Sequence, residues 1–119
     1  MGFIISGEKR KLLYISDIQS WEAWSRSIEE EARKSDVALL DGTFYSSEEL
    51  PGRDLAKIGH PLIKKSLKTL NDVAKEGKTK IYFTHLNHSN LALDPEGEAR
   101  KEVEENGFGI ASEGMEFFL

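Results

Sequence analysis

The chain has no cysteine among its 119 residues. This absence excludes a disulfide framework, thiolate zinc sites and cysteine nucleophiles. Apolar runs such as residues 37–40 are far shorter than the ~20 residues that a membrane helix needs, so we expect no membrane partner. The first residues show neither the basic segment nor the long apolar stretch of a signal peptide, which favours a cytoplasmic location.

Runs of basic residues are missing as well. Lysine and arginine number 16 against 21 aspartates and glutamates, which gives a net charge of −5. Because no basic run is present to neutralise phosphates, we expect no nucleic-acid partner. The motifs G-x-G-x-x-G, G-x-x-x-x-G-K, H-E-x-x-H and G-x-S-x-G are also absent. The usual signatures of dinucleotide binding, a P-loop, a zinc protease and a serine nucleophile are therefore missing.

The composition nevertheless predicts a folded chain. Hydrophobic residues make up 39% of the sequence and aromatic residues 9%, which is enough for a modest core and too much for a disordered chain. Because the length falls short of a typical domain of ~150 residues, we expect residues 1–119 to form a single unit, either one domain or part of a larger one.

Strand-like and helix-like segments alternate along the chain. Strands are predicted over Gly2–Ser6, 11–16, 37–40, Lys80–Thr84, 108–111 and 115–119. Helices are predicted over residues 21–34, 61–75 and 95–106. The resulting order, β-β-α-β-α-β-α-β-β, indicates an α/β layered sheet.

Three successive strands of this scheme are followed by ionisable residues, namely Asp17, Asp41 and His85. In α/β sheets, the loops at the carboxyl ends of strands collect functional groups along one edge. Carboxylate oxygens and an imidazole nitrogen suit Zn, Fe or Mn, so the pattern indicates a metal site. A turn or a helix cap is the alternative for a single aspartate at a strand end, and it stays open.

Two further histidines lie in polar surroundings. His88 follows His85 in a segment rich in hydroxyl and amide side chains. These polar neighbours favour a binding pocket. The two-residue spacing between the histidines is weaker evidence for one. His60 precedes Pro61 at the predicted start of a helix. There a neutral ring can cap the first turn or contact a substrate, and both interpretations stay open.

Four sequence blocks resemble the metallo-β-lactamase superfamily, and within it the family of pyrroloquinoline quinone (PQQ) biosynthesis protein B and its relatives. The blocks are Leu-Leu-Tyr-Ile-Ser-Asp ending at Asp17, Asp-Gly-Thr-Phe from Asp41, Gly-His-Pro around His60, and Thr-His-Leu-Asn-His-Ser-Asn over residues 84–90. The superfamily's H-x-H-x-D-H motif has no counterpart here. The resemblance therefore implies that the chain is the C-terminal half of a metallo-β-lactamase-like αββα sandwich.

The resemblance also implies roles for individual residues. They are metal binding for Asp17 and His85, catalysis for Asp41, His60 and His88, and substrate binding for Asn87 and Asn90. With two metal ligands, the chain alone offers an incomplete site for zinc or iron.

The implied function is that of the C-terminal part of a metal-dependent hydrolase acting on a small-molecule or peptide-derived substrate. Cofactor-synthesis members usually carry a Gly-Cys type sequence near position 17, so the aspartate found there favours a hydrolase-like relative. One alternative is the iron-dependent oxygenation step of PQQ biosynthesis. A non-catalytic binding or assembly module is the other.

A half sandwich would leave one face of its sheet without a partner. We expect that open face to carry alternate residues, including Leu13, Ile15, Leu39, Ile81 and Phe83. Such an apolar patch exceeds what soluble monomers usually expose. The chain is therefore expected to bind the missing N-terminal half or to associate with itself.

Overall fold

A computed structural model describes residues 2–15, 27–46 and 61–111. Within these ranges five strands form one sheet in the order β1-β2-β3-β4-β5. The first pairing, β1 with β2, is antiparallel, and the other three pairings are parallel. The strands are β1 (Gly2–Ser6), β2 (Lys11–Ile15), β3 (Val37–Asp41), β4 (Lys80–Thr84) and β5 (Phe108–Ile110).

Helices connect the parallel strands, as a crossover between parallel neighbours requires. In the described ranges, one helix lies between β2 and β3, two lie between β3 and β4, and one lies between β4 and β5. None of the helices in the described ranges is long and apolar enough to cross a membrane. The helices are α1 (Ile28–Arg33), α2 (Ile63–Thr69), α3 (Asn71–Glu76) and α4 (Glu98–Glu105).

The α/β prediction is confirmed, and the bounds predicted for β1 and β4 agree with the structure. The helix predicted over residues 61–75 is instead two helices that meet at Leu70, whose φ of −106° and ψ of 12° lie outside the helical range. Leu70 is fully buried, so core packing holds the side chain where the backbone departs from the helix. The strand predicted over 115–119 lies outside the described residues.

The core lies between the helices and one face of the sheet. In the register, Leu13 pairs with Ala38 and Ala38 pairs with Ile81, so these residues share that face. The next row on the same face includes Leu40 and Phe83. All of them belong to one buried cluster, and its helical members are Ile28, Ala32, Ile63, Leu67, Val73, Ala99 and Val103.

The opposite face of the sheet carries Tyr14, Leu39 and Tyr82, which are partners in the register. None of these three belongs to the buried cluster. The predicted open face was therefore wrong in most of its members, because Leu13, Ile15, Ile81 and Phe83 all pack on the helix side. Of the residues predicted for the open face and named above, Leu39 alone lies opposite the helices.

Gly42, which directly follows β3, passes close to β4. A Cβ atom there would lie 2.7 Å from the Cβ of Phe83, an atom fixed to the β4 backbone. We expect Gly42→Ala to lower the free energy of unfolding by about 2 kcal/mol, because overpacking forces backbone shifts. Urea denaturation measures the loss.

The matched control is Gly109→Ala, whose Cβ atom would also lie 2.7 Å from its nearest neighbour. That neighbour is the ring of Tyr82, which can turn away, so the expected loss of stability is smaller. An equal or larger loss in Gly109→Ala would contradict this account of the close approach at Gly42.

Candidate functional site

Strands β3 and β4 end side by side. Asp41, the last residue of β3, pairs with Thr84, the last residue of β4. Beyond them the Gly42 backbone N–H donates a hydrogen bond of 2.8 Å to the carbonyl oxygen of Thr84. Because the strands are parallel, Asp41 and the following His85 emerge at the same edge of the sheet, as the strand order predicts.

Asp41 is fully buried and shares the sheet face opposite the helices. Its Oδ1 atom accepts hydrogen bonds from the Thr43 backbone N–H, at 3.0 Å, and from the Thr43 hydroxyl, at 2.8 Å. These contacts form the aspartate turn that was the open alternative for this residue. The carboxylate therefore fixes the loop that leaves β3.

His85 combines an unusual backbone with an exposed ring. Its φ is 59°, the one positive value at a non-glycine residue in the described ranges. A positive φ is uncommon at non-glycine residues, and histidine, like asparagine and aspartate, adopts it more often than most. It persists where the surrounding structure holds it. The ring Nε2 is 2.5 Å from the Tyr14 hydroxyl. The two rings meet edge to face, with centroids 6.1 Å apart and planes at 68°.

The contact between Tyr14 and His85 bridges a strand. Tyr14 lies on β2 and His85 follows β4, and β3 runs between them. Because adjacent strands are about 4.8 Å apart, the two side chains together span about 10 Å. They do so on the sheet face that also carries Asp41, so this edge of the sheet holds a phenol, an imidazole and a buried carboxylate.

Asn90 joins the loops that follow β3 and β4. Its side-chain Nδ2 donates hydrogen bonds to the carbonyl oxygens of Gly42, at 2.7 Å, and Thr43, at 3.1 Å. Its Oδ1 accepts from the Ala92 N–H at 2.8 Å and so caps a short 3₁₀ turn, Leu91–Leu93. Asn90 is only 4% exposed, so the side chain predicted to bind substrate is committed to internal contacts.

His88 is exposed and lines an open pocket of about 740 Å³ together with Asn90. Helix α2 contributes Lys64 to the lining, α4 contributes Glu102, and the loop after β3 contributes Tyr45. There the Tyr45 hydroxyl donates a hydrogen bond to Glu102 Oε1, and Lys64 Nζ lies 5.9 Å from the centre of the Tyr45 ring. The pocket therefore offers an imidazole, an ammonium group and a carboxylate around an aromatic ring.

The structure thus separates the predicted site residues into two groups. Asp41 and His85 lie at the strand ends, and neither lines the pocket beside His88. The Asn87 side chain donates a hydrogen bond of 2.7 Å to the hydroxyl of Ser89 and belongs to neither group. The roles predicted for these residues stay predictions.

Asp17 and His60 lie outside the described residues, so the proposed metal pair Asp17–His85 stays a prediction. Within residues 2–15, 27–46 and 61–111, no three histidine, cysteine, aspartate or glutamate side chains lie close enough to hold a metal ion. His85 has the donor chemistry that a divalent metal requires. The described part of the chain does not supply a full set of ligands.

Tyr14, the partner of His85, was not among the predicted site residues. The predicted strand gave the face on which Tyr14 alternates with its neighbours. The contact with His85 depends on β4, which lies two strands away in the sheet. The pair formed by Tyr45 and Glu102 was also not predicted, because 57 residues separate the two and only the packing of α4 beside the loop after β3 brings them together.

Comparison with known proteins identifies relatives of this chain. A family model described as the β-lactamase superfamily domain matches residues 1–86. The coenzyme PQQ synthesis protein B of Cupriavidus necator is 26% identical over 94 residues, which cover 75% of this chain and 31% of the relative. That of Cupriavidus taiwanensis is 27% identical over 92 residues, which cover 73% and 30%. The chain thus spans about a third of the length of these relatives.

A solved structure shows the same fold. The crystal structure of Zn²⁺-bound PqqB from Methylobacterium extorquens superposes with a TM-score of 0.79 at 22% sequence identity. The match covers 99% of this chain and 43% of the other. The predicted metallo-β-lactamase fold is therefore confirmed, and the chain corresponds to less than half of that protein. Its assignment to the C-terminal half stays a prediction.

We expect Asn90→Asp to destabilise the protein. The substitution keeps the shape of the side chain but removes the donor to two carbonyl oxygens and places a carboxylate beside them. Leaving buried polar groups unsatisfied costs about 1–3 kcal/mol, with more for a charged group. Thermal unfolding followed by circular dichroism measures the loss.

Asn87→Asp is the control, because it makes the same chemical change in the same loop. Among the described residues, the Asn87 side chain hydrogen-bonds to the exposed Ser89 hydroxyl and to no other group, so stability should change by no more than about 0.5 kcal/mol. Equal losses in the two variants would show that the contacts of Asn90 do not hold the loops together.

Proposed function

The chain belongs to the β-lactamase superfamily, and from this premise we propose that it is part of a metal-dependent hydrolase that resembles PQQ synthesis protein B. The observation that carries the proposal is the position of His85. An exposed imidazole stands at the carboxyl edge of a parallel sheet, beside the end of the strand that carries a buried aspartate. Open α/β sheets bind ligands at this edge.

The metal ligands that we propose from this chain are Asp17 and His85. A carboxylate and an imidazole are donors that zinc accepts, and PqqB of Methylobacterium extorquens is a zinc-bound relative. A divalent metal at this position would supply Lewis acidity toward a bound water and the scissile bond. Catalytic zinc sites usually have three protein ligands, so we propose that further ligands come from the rest of the fold.

The remaining predicted residues would act around this centre. Asp41 holds the loop after β3 through Thr43, and we propose that it keeps His85 and the strand edge in register. His88 faces the open pocket, which suits the polar part of a small-molecule or peptide-derived substrate. Catalytic roles for His60 and His88 belong to the same proposal.

A role in coenzyme PQQ synthesis is the second candidate. Both curated relatives carry that description. In this alternative, iron in place of zinc would serve an oxygenation step, and the chain would contribute the same two ligands. The metal that restores activity to the assembled fold would separate the two candidates.

The sheet face opposite the helices supports a proposal about partners. On that face, Leu39 and Tyr82 are partly exposed, and Ile5 on β1 is 51% exposed. The PqqB structure has more than half of its chain beyond the matched part. We therefore propose that the missing part of the fold covers this face, sheet on sheet, and that a second copy covers it when that part is absent.

We expect the chain to bind zinc weakly and His85→Asn to abolish measurable binding. Two protein ligands leave an exchangeable ion, because stable sites provide three or four. Asparagine is the substitution of choice, since it tolerates the positive φ at this position better than alanine does. Isothermal titration calorimetry with zinc chloride measures the affinity.

His88→Asn is the matched control, because it removes an exposed imidazole three residues away that we do not assign to the metal. Zinc binding should be unchanged in this variant. Binding that survives in His85→Asn, or that disappears in His88→Asn, would contradict the proposed site.

We also expect the chain to form a dimer or a larger species at micromolar concentration, as measured by light scattering. Adjacent residues of β1 allow a matched test. Ile5 and Ile4 are exposed to similar extents, 51% and 48%, but point to opposite faces of the sheet. Ile5→Lys should shift the protein toward the monomer, because it places a charge on the face opposite the helices, and Ile4→Lys should not. A monomeric wild type, or equal effects of the two substitutions, would contradict the proposal.

A further inference from the structure

The residue that ends α4, Asn106, is followed by a glycine. Asn106 is exposed, and Gly107 links the helix to β5. The backbone nitrogen of a residue can attack the side-chain amide carbon of a preceding asparagine, and a side chain on the attacking residue hinders this reaction. The other asparagines of the sequence all precede larger residues than glycine, and they are Asn71, Asn87 and Asn90. Asn106 is therefore the asparagine at which the attack is least hindered.

The end of α4 holds both reacting groups through hydrogen bonds. The Asn106 side-chain Nδ2 donates to the carbonyl oxygen of Glu102 at 2.7 Å, and the Gly107 backbone N–H donates to that of Glu104 at 3.1 Å. The ψ angle of Asn106 is 4°, so the Gly107 nitrogen eclipses the Asn106 nitrogen and lies away from the side chain. Gly107 has a φ of 88°, the left-handed conformation that commonly follows a helix. In this cap the attacking nitrogen and the amide carbon are therefore kept apart.

The cap has to open before the two groups can meet. Helix ends fray readily, and opening there costs far less than unfolding of the core. Asn106 and Gly107 are both exposed, so water replaces the two hydrogen bonds that are lost. In the open state, rotation about the bond between Cα and the carbonyl carbon of Asn106 brings the Gly107 nitrogen to the side-chain amide carbon. The fold therefore controls how fast this reaction proceeds.

We propose that Asn106 is a site of spontaneous covalent modification, at which the side chain cyclises onto Gly107 when the last turn of α4 opens. The Gly107 nitrogen forms a bond with Cγ of Asn106 and loses its proton, the bond between Cγ and Nδ2 breaks, and ammonia leaves. Water then opens the cyclic imide at one of its two carbonyl carbons, which gives aspartate or isoaspartate at this position. The reaction involves no change of oxidation state, and the inference is independent of the proposed function.

The modification changes the junction between α4 and β5. A carboxylate replaces the amide that donates to the helix, and negative charge is unfavourable beside the last carbonyl groups of a helix. The last turn already carries Glu102, Glu104 and Glu105. Isoaspartate also lengthens the main chain just before Phe108, which is 5% exposed and stacks on Phe83. We therefore expect the modified protein to hold β5 less firmly against β4.

The test follows the full chain during incubation in warm, mildly alkaline buffer, with and without enough urea to unfold it. The tryptic peptide that follows Lys101 contains Asn106 and no other asparagine or glutamine, so mass spectrometry measures conversion at this site directly. In the native protein, Asn106 should convert before the other asparagines. Conversion should be about tenfold slower than in urea, because the two hydrogen bonds of the cap have to break first.

Gly107→Asn is the matched control for the chemistry. Asparagine is the other residue that commonly adopts the left-handed conformation after a helix, but its side chain hinders the attack, so conversion at position 106 should slow both with and without urea. Asn106→Asp tests the consequence and should lower the melting temperature by a few degrees. Asn71→Asp makes the same change at the first residue of α3, where a carboxylate is favourable, and should not lower it.

Three results would overturn the inference: earlier conversion of another asparagine in the native protein, equal rates at Asn106 with and without urea, or a native protein that stays unchanged at Asn106 while the unfolded chain converts. All three are read from the wild type, so they decide the question even if a variant fails to fold. Conversion in Gly107→Asn that is as fast in urea as in the wild type would contradict the attack by the Gly107 nitrogen.

Discussion

The parallel register of β2, β3 and β4 is the constraint on which the rest of the structure depends. It aligns Leu13, Ala38 and Ile81 on the helix side, and a slip by one residue would move every side chain of a strand to the opposite face. The same register ends β3 and β4 at one edge, so that Asp41 and the residue after Thr84 emerge together. Core packing and the candidate site therefore have a common origin.

Beyond the strand ends, the two loops hold each other through buried polar contacts. Asn90 donates to two carbonyl oxygens of the loop after β3, and Gly42 allows that loop to approach β4. At the same edge of the sheet, Asp41 is fully buried and His85 has a positive φ. A buried carboxylate and a strained histidine both depart from local preference, and such departures concentrate at functional sites.

Much of the fold and part of the site could be predicted from the sequence. The strand Lys80–Thr84 is a short apolar run between clear boundaries. The succession of parallel strands along the chain is enough to predict that Asp41 and His85 emerge at one edge of the sheet. Strand alternation places Leu13 with Ile15 and Ile81 with Phe83, but it does not tell which face of a strand packs on the helices. The register between strands decides this, and the predicted open face was wrong in most of its members. The contact with Tyr14 depends on the order of strands in the sheet, which local pattern does not contain.

The central claim is that His85 binds a divalent metal at the carboxyl edge of the sheet. Crystals of the chain soaked in zinc chloride, with diffraction recorded at the zinc absorption edge, test it most directly. The account predicts an anomalous peak about 2.0–2.1 Å from a ring nitrogen of His85, the usual length of a zinc–nitrogen bond. Zinc bound only elsewhere, such as at His88 in the open pocket, would contradict it.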